Sequence, residues 1–361
     1  MPTTYAIPNG RTVFDATLWT GDGATSPRSI TNTVGFKPDL VWSKDRTSAY
    51  NHQLFDSVRG TGSSKNLMSN STDAEGVNAS SFGYLSAFNS NGFALTKGSD
   101  PGNEYLWVGK TSDNYVAWQW QAGGTAVSNT SGTITSSVSA NTTAGFSIVS
   151  YTGNGATTQT VGHGIGVAPQ MVIVKERADN GYNWPVYHIS LSSGYAVFLN
   201  TTGAQDNSTV YWGSVPTTTV FGVNYSGALT NQSGKAYIAY CWAPVAGYSA
   251  FGSYTGNGSA DGPFIYTGFR PRFIMIKDAN NSAGPWVMYD TSRSPYNQMV
   301  NVFRANTSDA EGVYSASDGY NIDALSNGFK VYSTWNGINN SGDTTIYMAF
   351  AENPFKYANA R

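Results

Sequence analysis

Three stretches decide the fold: Pro38-Asp39-Leu40-Val41-Trp42-Ser43-Lys44, Pro169-Gln170-Met171-Val172-Ile173-Val174-Lys175 and Pro271-Arg272-Phe273-Ile274-Met275-Ile276-Lys277. Each sets a proline and a variable residue before an apolar run that ends in lysine. A Thr-Gly-x-Gly turn precedes each one, at Thr20, Thr152 and Thr255. A closing apolar strand follows each: Tyr115-Val116-Ala117-Trp118, Tyr237-Ile238-Ala239-Tyr240 and Tyr347-Met348-Ala349-Phe350. Self-similarity at a period of about a hundred residues marks an array of like units. Such arrays more often build and bind than catalyse.

Outward from these runs, period-two alternation and glycine turns predict short strands throughout. Phe14 to Thr20, Phe146 to Thr152 and Tyr248 to Thr255 open the three repeats; the third carries one extra residue, read as a bulge. Leu54-Phe55-Asp56, Val186-Tyr187-His188 and Met288-Tyr289-Asp290 follow the lysines, with Trp184 and Trp286 ahead of the last two and no tryptophan in the first. Asn91-Gly92 and Asn327-Gly328 are hairpin signals. The expected fold is all-β, with three tandem β-sandwich repeats of jelly-roll or immunoglobulin size. The expected boundaries are an N-terminal arm (1–9), repeat one (10–121), a Gly/Ser/Thr-rich linker or ordered excursion (122–144), repeat two (145–246), repeat three (247–356) and a C-terminal tail (357–361).

Composition narrows the partners. Charged residues are only 12% and aromatics reach 14%, which favours an ordered β protein over a disordered one. The net charge is −2 and the cations are scattered, so no nucleic-acid footprint is expected. No stretch is long and apolar enough to span a bilayer, and the start shows no secretory signal. The one cysteine, Cys241, reads as a small buried hydrophobe. Lys44, Lys175 and Lys277 are expected to carry their charge from the end of a buried strand out to solvent.

Candidate sites are few. Asp73 with Glu75, and Asp309 with Glu311, lie two apart in the matching segments Asn70–Val77 and Asn306–Val313. On a strand such pairs share a face. They suit turn capping or, with carbonyls, calcium; no other cofactor is expected. Trp107, Tyr211, Trp212 and Trp335 fall outside the repeating pattern, where they can fill a core or stack on sugar rings. His52, His163 and His188 show no metal-ligand spacing. No nucleophile and base pair stands out, so no enzyme is expected. A glycan depolymerase would draw on Asp56, Asp290 and Glu104, whose spacing singles out none of them.

The runs Thr143–Gly153 and Val161–Pro169, Tyr266–Pro271 and Met348–Phe355 resemble a repeat family of bacteriophage proteins, especially from phages of marine and freshwater bacteria, cyanobacteria included. The resemblance covers roughly residues 10 to 356. It implies a virion structural protein: a tail fibre, a tail appendage, or a head fibre or decoration. By analogy with phage fibres it implies a homo-oligomer, with a trimer expected, made in the host cytoplasm and bound to other virion proteins. Contact with host-surface polysaccharide is a further expectation. A lectin-like receptor binder or a glycan-depolymerising protein is the alternative.

Overall fold

The computed structural model describes residues 5–354, apart from 208–209, 226–228, 282 and 314–318. Residues 1–4 of the expected arm and the expected tail, 357–361, lie outside the described residues. The fold is all-β: antiparallel sheets, with two four-residue α-helices and one 3-10 turn among the described residues.

Three sheets share one pairing plan. In the first unit the opening strand Phe14–Thr20 pairs with the closing strand Asn114–Trp120, which pairs with the lysine strand Leu40–Asp45, which pairs with Gln53–Asp56. The second unit repeats this order with Phe146–Thr152, Ala236–Trp242, Met171–Glu176 and Pro185–His188. The third uses Ser249–Thr255, Thr344–Pro354, Phe269–Asp278 and Val287–Asp290. The closing strand is central in every case, so its apolar run is buried on both faces.

Register refines the expected alignment. Lys44, Lys175 and Lys277 stand opposite Val116, Ile238 and Ile346. Met348 is therefore the counterpart of Trp118 and Tyr240, and the segment equivalent to Tyr115–Trp118 is Thr345–Met348, two residues before the expected Tyr347–Phe350. A slip of two keeps every side chain on its face, so the sequence pattern alone does not expose it. Tyr347 takes the place of Ala117 and Ala239, and the strand opposite adapts: Gly252 faces it, where a Cβ would lie 2.9 Å from the Tyr347 hydroxyl. The third opening strand pairs without a break. The irregularity falls instead at Arg270 to Phe273, around Pro271, which has no N–H to give the ladder.

One face of each sheet carries residues of a single shared core: Phe14, Trp42, Trp118 and Trp120, then Phe146, Tyr240 and Trp242, then Phe273, Met348 and Phe350. Rings from different units touch there. Phe14 stacks on Phe350 at 5.4 Å, and Trp120 meets Trp242 edge-on at 6.0 Å. The opposite faces pack under small outer sheets: Arg28–Thr31, Gly92–Thr96 and Tyr84–Asn89; Gln159–Gly162 and Val220–Val223; Phe264–Tyr266, Gly328–Tyr332 and Asn321–Leu325. The two Asn-Gly hairpins form in the first and third of these. Their glycines admit a close neighbour, since a Cβ at Gly92 or Gly328 would lie 2.0 Å from the carbonyl oxygen of Ile30 or Ile265.

The segment 122–144 is ordered. Its strands Val127–Asn129 and Ser136–Asn141 extend the second sheet by covering the outer edge of Phe146–Thr152. The corresponding edges of Phe14–Thr20 and Ser249–Thr255 have no such neighbour among the described strands.

Candidate functional site

The charged residues of highest interest gather where one unit docks on another. Glu75 accepts from Arg59 Nη1 at 3.0 Å and, on its other oxygen, from Arg177 Nη2 of the second unit at 2.6 Å. Asp56 Oδ2 accepts from Arg59 Nε at 2.5 Å and from the Tyr240 hydroxyl, also of the second unit, at 2.8 Å. A backbone bond completes the joint, with Glu75 N–H donating to the Arg177 carbonyl at 2.9 Å. Burial opposes the charge on Arg59; Asp56, Tyr240 and Glu75 outweigh it and hold the guanidinium more firmly protonated than in water.

The same set recurs where the first unit docks on the third. Glu311 accepts from Arg293 Nη1 at 3.0 Å and from Arg46 Nη2 at 2.7 Å. Asp290 Oδ2 accepts from Arg293 Nε at 2.5 Å and from Trp118 Nε1 at 3.0 Å. Glu311 N–H donates to the Arg46 carbonyl at 2.9 Å. Where the third unit docks on the second, the backbone joint persists, from Gln205 N–H to the Ala279 carbonyl at 2.7 Å, but the charges are gone. His188 replaces Asp56, Leu191 replaces Arg59, Gln205 replaces Glu75 and Ala279 replaces Arg177. All four positions change together, because removing one member of a buried ion network would strand the others.

Ring N–H groups cross the same three joints. Trp184 Nε1 donates to the Ser71 carbonyl at 3.0 Å and Trp286 Nε1 to the Phe198 carbonyl at 2.8 Å. In the first unit His52 stands in the tryptophan's place. Its Nδ1 accepts from Trp42 Nε1 at 2.9 Å, so the proton sits on Nε2, 3.2 Å from the Arg304 carbonyl. The contacts run in cyclic order, second on first, third on second and first on third, and close the chain into a ring of three units.

The lysines correct a sequence expectation. Lys44, Lys175 and Lys277 are buried and do not reach solvent. Lys175 Nζ donates to the Tyr182 carbonyl at 2.9 Å and to Thr72 of the first unit at 3.3 Å. Lys277 Nζ donates to Thr202 of the second unit at 3.2 Å. Lys44 Nζ lies 5.2 Å from the Phe303 ring of the third. Burial pushes all three down to about 8.

The calcium candidates lie beside cationic side chains. Glu75 and Glu311 each face two guanidiniums, while Asp309 points outward with its side chain 64% exposed, 3.8 Å from Arg304. Asp73 is half-buried near Lys175. Neither pair presents two open carboxylates to a cation. Among the described residues no group of three or more His, Cys, Asp or Glu side chains is placed to hold a metal.

Of the sugar-stacking candidates, Trp107 is buried edge-on against Phe82, Trp212 against Tyr187, and Tyr211 against Phe198 with its hydroxyl on Asp206 at 2.6 Å. Protein covers their ring faces. Trp335 is half-buried, 4.1 Å from the Tyr320 ring. Asp56 and Asp290 are fully buried in ion pairs and do not face a groove, and Glu104 lies apart on a surface turn. His163 bonds the Thr217 carbonyl at 3.1 Å.

The sequence reading missed a third charged cluster, where the third unit meets the first. Arg272 Nη2 donates to Asp15 Oδ1 at 2.5 Å, and Glu352 takes both Arg270 and Arg11. Its signal was the pair of arginines flanking Pro271, where the other repeats have Lys37 with Asp39 and Ala168 with Gln170.

Residues 10–354 match the family described as "Domain of unknown function (DUF7483)", and the chain belongs to that family. No curated protein and no solved structure matches it.

Proposed function

We propose that this chain is a non-catalytic structural protein of a bacteriophage particle, a tail fibre, tail appendage or head decoration with a surface that contacts host polysaccharide. One observation carries the non-catalytic part. The acidic and basic residues best suited to chemistry, Asp56, Arg59, Glu75 and Arg177 with their counterparts Asp290, Arg293, Glu311 and Arg46, are taken up in joining one unit to the next. Active sites leave such groups facing a cleft; here they face each other. The virion assignment rests on the family resemblance of the repeats, and other virion proteins and further copies of the chain are its partners.

Immunogold electron microscopy of purified particles from a phage that encodes the chain tests this. Label at one defined place on the particle is the expected result. Protein confined to the lysate, with none on particles, overturns it.

A further inference from the structure

The ring closes asymmetrically, and the asymmetry has a ligand-binding character. Between the third unit and the first lies a cleft of about 450 Å³, lined among others by Arg11, Arg270, Arg272, Thr17, Thr33 and Thr291. A cleft of that size suits a small ligand. Its floor includes Ala16, Thr17 and Leu18, from the strand edge that the second unit covers with Ser136–Asn141 and the first leaves open.

The charge there does not cancel. Three arginines face two carboxylates, Asp15 and Glu352, leaving one net positive charge. Arg270 Nε, Arg272 Nε and Thr291 Oγ1 are closed off from solvent, so the cleft presents the Nη ends of the guanidiniums, with Arg11 the most open of the three. Apolar surface lines the cleft as well, where Leu18 is 39% exposed. A cleft of similar size, about 440 Å³, lies between the first unit and strand Ser136–Asn141, but Lys37 and Asp39 stand there in place of the two arginines, so the architecture does not require the positive charge.

We propose that this cleft binds an acidic sugar residue of a polysaccharide, its carboxylate taken by Arg270 and Arg272 and its hydroxyls by the threonines and Ser292. A single carboxylate matches the net charge, and arginine presents paired N–H donors suited to it. A hydroxyl-rich ring matches the Thr and Ser lining, and the exposed Leu18 suits the apolar face of a sugar. The inference rests on the surface-contact reading only for the origin of the polysaccharide.

Titration calorimetry of the full chain with D-glucuronate, D-glucose and acetate tests it. D-glucuronate is expected to bind at least tenfold more tightly than either of the others, and more weakly as salt rises. Arg270→Gln is expected to abolish that preference. Because Arg270 also holds Glu352, Leu18→Glu at the exposed rim serves as a second variant, adding a repelling charge without touching an ion pair. Val127→Ser, exposed on the second unit and outside the cleft, should leave binding unchanged. Equal binding of D-glucuronate and D-glucose, equal binding of acetate, or no binding overturns the proposal, as does D-glucuronate binding that neither cleft variant weakens. D-glucuronate binding by a protein absent from particles would keep this site and sink the virion assignment alone.

Discussion

His188 shows how a single side chain sets a response to acid. It is fully buried, accepts from Ser190 N–H on Nδ1 and so carries its proton on Nε2, 3.1 Å from the Tyr347 carbonyl. Burial lowers it from 6.5 to about 4. Between those values the unfolded chain binds the proton and the folded chain does not, so its contribution is full above pH 6.5 and is lost as pH falls towards 4. The shift corresponds to about 3 kcal/mol. Urea midpoints at pH 7 and pH 4.5 should separate less in His188→Gln than in the parent. The lysines act at the other end. They release their protons near 8 when folded and near 10.5 when unfolded, so stability rises with pH across that window. Lys277→Met should flatten that rise, read by thermal melts from pH 7.5 to 10. At this scale the sequence marked the right residues and misjudged their surroundings. Glu75 stands out in Asp73-Ala74-Glu75, yet Arg177, the partner that defines its role, lies 102 residues further along the chain. Nothing local to either residue names the other.

At the scale of elements, the joint around Glu75 behaves as a unit. Glu75→Gln alone leaves Arg59 and Arg177 without a shared carboxylate and should cost about 3 kcal/mol, as breaking a buried ion pair does. Adding Asp56→His, Arg59→Leu and Arg177→Ala rebuilds the neutral composition of the joint between the second and third units, and should recover at least half of that loss. Chemical denaturation of the single and quadruple variants measures both; a quadruple variant weaker than the single one would show that the joints are not interchangeable. Most elements were legible because β periodicity is local: the opening, lysine and closing strands and both Asn-Gly hairpins form where the pattern puts them. The register of the third closing strand was not legible. A two-residue slip preserves the pattern of faces, and only the facing pair of Gly252 and Tyr347 reveals the true alignment.

At the scale of the molecule, the three inner sheets enclose one core, with Trp118, Trp120, Tyr240, Trp242, Phe273 and Phe350 in common. Removing any unit would expose aromatic surface of the other two, at about 2 kcal/mol for each large side chain uncovered. Calorimetry should therefore show one cooperative transition for the whole chain, with calorimetric and van't Hoff enthalpies in agreement. Three resolved transitions would mean that the units unfold independently. The same melt should be unmoved by millimolar calcium or by EDTA, since arginines already occupy Glu75 and Glu311. The shared core was not legible because a strand's apolar face does not say whose face it will meet.

Closure of the ring within one polypeptide has a consequence for dilution. A ring assembled from three separate chains falls apart as their concentration drops. Here the units are tethered by short connections such as Pro244 to Gly247, so each meets its neighbours at a local concentration that the surrounding solution does not alter. A single molecule in a large volume of water would keep this ring intact. Each joint is also encoded only once, so a change to one is not copied into the others. That independence is what lets the joint between the first and third units line its cleft with arginines while Lys37 and Asp39 hold the matching positions beside the second.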